Sequence, residues 1–374
     1  MDLFPSDHTD IEGATIINAC YGGTAALLNA LAWCDSSDCC PDHDDDNNHD
    51  DNDNTTAQYA IVVAADIATY ARGPARPTCG VGAVAMLLGR DAPLAYDGPR
   101  TTHACAAWDF FKPDHTVEYP VVDGALSQLC YYRALEDVYL RLLEKLERNQ
   151  KSTAELSSSS ESLSLTVETL ADYFCFHAPY NKLVQKSYAR LFFLDARRQY
   201  ERNRCRNGDA NNNNNNSNNN QSMAHGPSHS CENGNNGHGG NTAVAMNGHG
   251  PACTTTTTTT ESSSEHPLQP WLDMPIEETY NDKALEAALK KLAAPTYQKQ
   301  CLRDANYASQ HIGNTYTASV FFGLASLLDR VGGRGELTPN QTIAMFSYGS
   351  GAMASLYRFK MYVRVCLSVR FYCL

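Results

Sequence analysis

The sequence predicts an α/β fold, and three observations predict it. Short apolar runs rich in β-branched residues alternate with longer segments of helical periodicity. Residues able to do chemistry fall at strand ends, where α/β folds place their sites. One arrangement also occurs twice: a strand hands Cys20 to the start of a helix, and a second strand hands His177 to the start of another. Two similar βα halves facing each other would give that repetition. At 374 residues the chain suffices for one large domain or two ordinary ones.

Residues 14–17 read as a short buried strand leading to Cys20. Gly22 and Gly23 then turn the chain into an apolar helix that reaches Trp33. A cysteine at such a junction faces helix N–H groups and the positive end of the helix dipole, which favour a thiolate. Cys20 is therefore the candidate covalent nucleophile. The plainer alternative is a small buried core residue. Cys34, Cys39, Cys40, His43 and the acidic run 42–54 raise a metal reading. A calcium loop counted from Asp42 would need Gly and Glu where Asn47 and Asp53 stand, and the zinc spacing is poor. A solvated surface insert is expected at 42–54.

Residues 59–65 read as a buried strand ending in Asp66, 72–78 as a Gly/Pro-rich loop, and 80–88 as a further strand. Residues 101–121 read as a long ordered loop. Leu135, Val138, Leu142, Leu143 and Leu146 set a helix over 126–150, and a Ser-rich break follows at 151–164. Residues 170–179 read as the strand delivering His177, and 181–198 as the helix behind it. From 205 to 266 the chain is low in complexity and expected to be disordered. His225, His229, His238 and His249 in it would hold a metal weakly at most. An amphipathic helix at 282–292 puts Leu285, Ala288, Leu289 and Leu292 on one face. A buried helix at 314–328, a strand at 342–347, a glycine turn at 348–351 and a strand from Met353 complete the pattern.

The net charge of −13 argues against a nucleic-acid partner, which would face a basic surface. The N-terminus lacks a secretory signal. No apolar run approaches the roughly 20 residues that cross a bilayer, so no membrane partner is expected. The 14 cysteines lack paired spacings and read as reduced, intracellular thiols.

The motif Asn18-Ala-Cys-Tyr-Gly-Gly-Thr24 resembles the active-site signature of the 3-hydroxy-3-methylglutaryl-CoA synthases, a family of the thiolase-like superfamily. The resemblance continues, in family order, at Ala65-Asp-Ile-Ala-Thr-Tyr70, Ala75-Arg-Pro-Thr78 and Glu118-Tyr-Pro-Val-Val-Asp-Gly124. It goes on at His177-Ala-Pro-Tyr-Asn-Lys-Leu-Val-Gln-Lys-Ser187, Gly313-Asn-Thr-Tyr316 and Phe346-Ser-Tyr-Gly-Ser-Gly351. It implies a layered αβαβα sandwich of two pseudo-symmetric halves, with the N-terminal half incomplete. On this reading residues 1–124 are the remnant of the first half, 125–360 the second, and 361–374 a divergent tail. The implied reaction acetylates a cysteine from acetyl-CoA and condenses the acetyl group with acetoacetyl-CoA to give 3-hydroxy-3-methylglutaryl-CoA.

Roles follow from the same resemblance. Cys20 matches the nucleophile and His177 the residue that positions the acetoacetyl ketone; a strand-end core histidine is the alternative. Asn314 matches a polar anchor for the acetoacetyl group, or a helix cap, and both roles are compatible. Asp66 and Asp123 match acidic residues near the cysteine and its loop, although Asp123 equally suits a turn before Gly124. Lys182 and Lys186, one helical turn apart, match contacts to CoA phosphates or pantetheine, or else are solvated surface lysines. Thr78 and Tyr180 fall in matched motifs and join the substrate-binding set. The backbone N–H groups of Gly349 and Ser350 suit an oxyanion hole.

The family's general acid/base is a glutamate upstream of the matched segment. The chain is therefore expected to be truncated at its N-terminus and slow to condense. The resemblance further implies CoA thioesters as substrates with no metal or redox cofactor, a homodimer, and a cytoplasmic or mitochondrial setting. Ketoacyl synthases and thiolases, which pair their cysteine with other residues, are the rival enzyme reading; an inactive relative is the non-enzymatic one.

Overall fold

The structure, a computed structural model, describes residues 11–35, 59–90, 92–114, 116–156, 164–212, 266–300 and 302–362. The insert at 42–54, most of that at 205–266 and the tail beyond 362 lie outside the described residues.

The central element is a five-stranded mixed sheet. It is built from β3 (Leu94–Tyr96), β4 (Thr101–Ala104), β7 (Tyr173–Phe176), β8 (Thr342–Gly349) and β9 (Met353–Met361). β7 runs parallel to β8, β8 antiparallel to β9, and both β3 and β4 pair antiparallel with β9. β7 and β8 are buried and largely apolar on both faces, as covered strands require, while β9 carries Arg358 and Lys360 toward its end. Phe174, Phe176, Ala344, Phe346 and Leu356 point to a core closed by α2 (Gly124–Leu156) and α4 (Asn181–Asn212). Cys175, Ile343, Met345, Tyr357 and Phe359 point to the other core, closed by α9 (Ser319–Leu327) and by Leu27 of α1 (Gly22–Cys34).

On the far side of α1 and α9 lies a hairpin of β1 (Ala60–Ala68) and β2 (Gly80–Leu88). Helices, sheet, helices and hairpin thus stack as α, β, α, β layers. The outer face of the hairpin carries Ile61, Val63, Ile67, Val81 and Leu87, all exposed. This corrects the expectation of a fully buried strand at 59–65. Only alternate residues of β1 are covered, because among the described residues no layer lies outside the hairpin.

Other expectations change in detail. Residues 14–17 form no strand, and Ile17 is 91% exposed; among the described residues no strand lies beside them to complete a ladder. Residues 101–121 are not a loop throughout. They hold β4 and a small ribbon of β5 (Phe110–Phe111) and β6 (Val121–Val122). The Ser-rich break starts later than expected, since α2 continues to Leu156. The low-complexity stretch likewise begins inside α4. Ahead of β7, the short α3 (Val167–Leu170) takes Leu170, the first residue assigned to that strand.

After α5 (Gln269–Leu272) comes α6 (Lys283–Lys299), capped by the Asp282 carboxylate on the Leu285 N–H at 2.8 Å. Its covered line is Leu285, Leu289 and Ala293, while Leu292 faces solvent. Then α7 (Leu302–Ala305) and α8 (Tyr307–Ile312) lead to a 3-10 turn over Tyr316–Ala318, which precedes α9.

Candidate active site

Cys20 sits in a tight turn before α1. The Tyr21 N–H donates to Asn18 O at 2.9 Å and the Gly22 N–H to Ala19 O at 3.2 Å. The Gly23 N–H donates to Thr317 Oγ1. Ala19, directly before the cysteine, has φ +42°, a left-handed conformation unfavourable for a residue with a Cβ. The turn is held in strain of the kind found at functional sites.

The sequence predicted a thiol with lowered pKa, and the structure overturns that. Burial pushes the Cys20 thiol well above its ordinary range, and the nearby Asp66 and Asp109 carboxylates push it further. The helix N-terminus gives little in return, because the N–H groups of Tyr21, Gly22 and Gly23 are already donated elsewhere.

The side chains around Cys20 come from three parts of the chain. Asp66 lies inside β1, not at its end. Its carboxylate accepts from the Ile67 N–H at 2.9 Å, and burial raises its pKa. Tyr70 follows β1, and Tyr316 opens the turn before α9. With Phe110 they form a set of edge-to-face rings, centroids 5.8 to 6.3 Å apart. Burial raises the pKa of both phenols.

Asn314 is 2% exposed and its side chain does two jobs. Nδ2 donates to Tyr70 OH at 3.0 Å, and Oδ1 accepts from the Tyr316 N–H at 2.9 Å. Asn314 thus ties Tyr70 to the Tyr316–Ala318 turn from one residue ahead of that turn's N-cap, Thr315. The Asn314 N–H donates to Thr78 O, while the Thr78 hydroxyl turns back to Ala75 O. Gly313, at φ +91°, lets these loops meet; a Cβ there would come 2.2 Å from Cys79 O.

The glycine turn after β8 closes the other side. A Cβ on Gly349 would lie 2.7 Å from Tyr21 N, so the turn abuts the nucleophile loop directly. Asp109 holds the turn: Tyr348 OH donates to Oδ2 at 3.2 Å and the Gly351 N–H to Oδ1 at 3.3 Å. The Ser350 hydroxyl bonds Tyr348. Asp109, Tyr70, Phe110 and Tyr316 were missed as site residues in the sequence. Tyr70 and Tyr316 end quoted motifs, and Asp109 and Phe110 lie in the stretch taken for a loop.

His177 follows β7 and is 2% exposed, with Nδ1 lacking a hydrogen-bond partner. Burial alone lowers its pKa to about 3, so the imidazole is neutral at ordinary pH. Its carbonyl accepts from Tyr131 OH at 2.6 Å, and the Tyr131 ring also packs on Tyr348. The histidine thus connects to the glycine turn through Tyr131 and Tyr348.

Asp123 meets this group through its backbone only, its N–H donating to Asp109 O at 2.9 Å. It is exposed, and its carboxylate caps α2 by accepting from the N–H groups of Ala125 and Leu126. In place of the turn expected before Gly124, the structure shows Asp123 at the start of a helix. Lys182, Lys186 and Arg190 line a separate cleft of about 260 Å³ between α4 and α6, with Tyr132, Tyr280 and Lys290. Lys186 pairs with Glu286 at 3.1 Å, and Lys182 is exposed. Tyr180 is half-buried at the entry to α4, its phenol raised by burial and then by Glu286. Among the described residues no His/Cys/Asp/Glu cluster fits a metal, and no helix is long and apolar enough to cross a membrane.

Residues 1–93 match the model of the hydroxymethylglutaryl-coenzyme A synthase N-terminal domain, and residues 94–225 and 253–368 match that of its C-terminal domain. The chain belongs to the hydroxymethylglutaryl-CoA synthase family. The two models meet where the chain enters β3, whose partner is β9. The C-terminal match runs into the stretch read as a divergent tail.

The chain is 35% identical over 367 residues to the cytoplasmic hydroxymethylglutaryl-CoA synthase of Rattus norvegicus, covering 96% of this chain and 54% of that protein. It is 35% identical over 363 residues to the mitochondrial enzyme of Sus scrofa, covering 96% and 55%. It therefore spans about half the length of the curated relatives it matches. A solved structure of MvaS in complex with 3-hydroxy-3-methylglutaryl coenzyme A is similar in fold. Its TM-score is 0.54 at 22% identity, covering 93% of this chain and 58% of that one. The thiolase-like α/β fold of the synthase family is thus the fold of this chain.

Proposed function

We propose that this chain carries the acyl-transfer site of a hydroxymethylglutaryl-CoA synthase. Cys20 attacks the thioester of acetyl-CoA, its thiol proton leaves, and CoA departs to leave an acetyl-cysteine. The acetyl methyl loses a proton and its carbon attacks the ketone of acetoacetyl-CoA. Water then releases 3-hydroxy-3-methylglutaryl-CoA and restores the thiol.

One observation carries this reading. Chain segments hundreds of residues apart converge on Cys20: Asp66 within the first strand and Tyr70 just after it, Asn314 and Tyr316 before α9, and the Gly349 turn. Each part suits a step. The glycine turn offers backbone N–H groups for a developing oxyanion. Neutral His177 hydrogen-bonds the ketone and does not act as a cation. Asn314 has a second amide hydrogen for the acetoacetyl group, and Lys182 and Lys186 suit CoA phosphates.

The substrates are CoA thioesters, and the chemistry calls for no metal or redox cofactor. In this reading the product feeds the mevalonate route to isoprenoids and sterols, and the family resemblance supports a homodimer in the cytoplasm or mitochondria. The test is incubation of the chain with radiolabelled acetyl-CoA, followed by peptide mapping. Label on the Cys20 peptide, absent in Cys20→Ala, supports the proposal. Label elsewhere, or none with intact acetyl-CoA present, overturns it.

A further inference from the structure

A row of hydroxyls crosses the central sheet beneath the nucleophile. Thr102 of β4, Ser355 of β9 and Ser347 of β8 stand opposite one another in register, so their side chains share a face. That face is otherwise apolar: Met345, Tyr357 and Phe359 lie on it. Two fully buried serines among such residues need partners, because a buried hydroxyl without one is costly.

Their partners are the first turn of α1. Tyr21 OH lies 2.6 Å from Ser355 Oγ, and Ser355 Oγ lies 3.1 Å from Thr102 Oγ1. The Thr24 hydroxyl donates to Ser347 Oγ at 2.7 Å. Tyr21 is the residue after Cys20, and its backbone is the surface against which Gly349 packs. Ala19, on the other side of Cys20, is the strained residue. A strained turn persists only where its surroundings over-determine it.

We infer that Ser355 and Ser347 are positioning residues, which pin the start of α1 to the sheet and so hold Cys20 in its strained turn against the glycine loop. Neither serine touches the reacting atoms. Their effect passes through Tyr21 and Thr24. The inference rests on Cys20 being the reactive thiol, but not on the identity of the acyl donor.

Releasing the pin should let the turn relax and open Cys20, which is half-buried, further to water. The charged and titratable groups facing the thiol are Asp66 from β1, Asp109 before β5, Tyr70 and Tyr316. None of them is altered by substitution at 355. Burial is the main cause holding the thiol up, so looser packing should move its reactivity to lower pH.

The experiment measures iodoacetamide labelling of the Cys20 peptide by mass spectrometry, on the full chain, across pH 6–10. Ser355→Ala should raise the neutral-pH rate by about fivefold, the factor that one net hydrogen bond represents. Tyr21→Phe should do the same, and the double variant should add nothing further. Ser355→Thr, which keeps the hydroxyl, should restore the wild-type profile. Ser326→Ala removes an equally buried hydroxyl bonded to Asp304 O on another element, and serves as the stability control.

A Ser355→Ala profile that superimposes on those of the wild type and Ser326→Ala would overturn the inference. So would strict additivity with Tyr21→Phe. If Ser355→Ala fails to fold, Tyr21→Phe and Ser355→Thr decide alone: a shift in the first and none in the second is required. Failure of acetyl-CoA to label Cys20 would refute the proposed function while leaving these alkylation profiles unaffected.

Discussion

Replacing Gly349 by alanine tests the packing at the centre of the site. The added Cβ would lie 2.7 Å from Tyr21 N, 2.8 Å from Tyr21 Cβ and 3.3 Å from Asn18 O. The first falls about 0.7 Å short of the 3.4 Å at which ordinary contact begins. Neither side yields easily. Gly349 is paired with Met353 in the β8–β9 ladder. Tyr21 is held by its N–H to Asn18 O and its phenol to Ser355. Overpacking of this kind costs about 1–3 kcal/mol, and two rigid backbones put it at the upper end. For an ordered body of this size that lowers Tm by roughly 5–10 °C. The turn must also move from Cys20, so acetylation at Cys20 should fall together with Tm. Gly333→Ala is the control: nothing lies within 4 Å of its Cβ and its backbone is already helical. It should leave stability unchanged or raise it by up to about 1 kcal/mol. A Gly349→Ala protein that melts with the wild type and labels at the wild-type rate would refute this packing.

His177→Ala should keep acetyl labelling of Cys20 while losing use of acetoacetyl-CoA; equal loss of both would show that the histidine activates the thiol. His177 also makes a pH prediction. Its folded pKa of about 3 lies below its ordinary value of 6.5, so between those values the unfolded chain binds the extra proton and stability falls as pH falls. The loss is up to about 1.4 kcal/mol per pH unit from this group. His177→Gln should flatten that acid limb in chemical denaturation, and an unchanged limb would mean that the imidazole is not buried neutral. Glu136 and Arg190 form a buried ion pair at 2.6 Å, and the guanidinium also bonds Thr279 and lies between the Phe193 and Tyr280 rings. Glu136→Ala strands that cation and should cost about 3–5 kcal/mol in urea melts; a loss below 1 kcal/mol would place the pair in solvent.

Much of the central sheet was legible in the sequence, because β7 and β8 are covered on both faces and so read as largely apolar runs. Helix α2 was legible for the opposite reason: its leucines repeat on one side. What could not be read has a common cause. Residues 14–17 have strand composition but, among the described residues, no neighbour to pair with, and β-propensity without a partner decides nothing. The hairpin strand β1 is apolar on both faces, which implied burial, yet one face is bare. Asp109 and Phe110 sit in a two-stranded ribbon too short to show periodicity, and only the tertiary fold brings them to Cys20. Local pattern also predicted the wrong thiol chemistry. A strand-to-helix junction promises free N–H groups, but here Asn18, Ala19 and Thr317 have taken them.

That last point bears on how the site must work. A resting thiolate would need several donors or a cation beside Cys20, and the structure supplies one backbone N–H, its own, against desolvation and two nearby carboxylates. The thiol therefore rests protonated, and its proton must leave in the step that forms the carbon–sulfur bond. Such a site is quiet toward oxidants and stray electrophiles, whose attack requires a thiolate. Under the function proposed above, it becomes reactive when a thioester is bound, because N–H groups of the glycine turn would then stabilise the charge as it forms. The same carboxylates that suppress the thiolate are placed to handle protons near the acetyl group. Asp66, whose own pKa is raised by burial, can exchange a proton more readily than an exposed aspartate. On this reasoning Asp66→Asn should make Cys20 alkylate faster at neutral pH, since it removes a repelling charge, yet acetylate or condense more slowly. Both rates rising together would mean that Asp66 only suppresses the thiol.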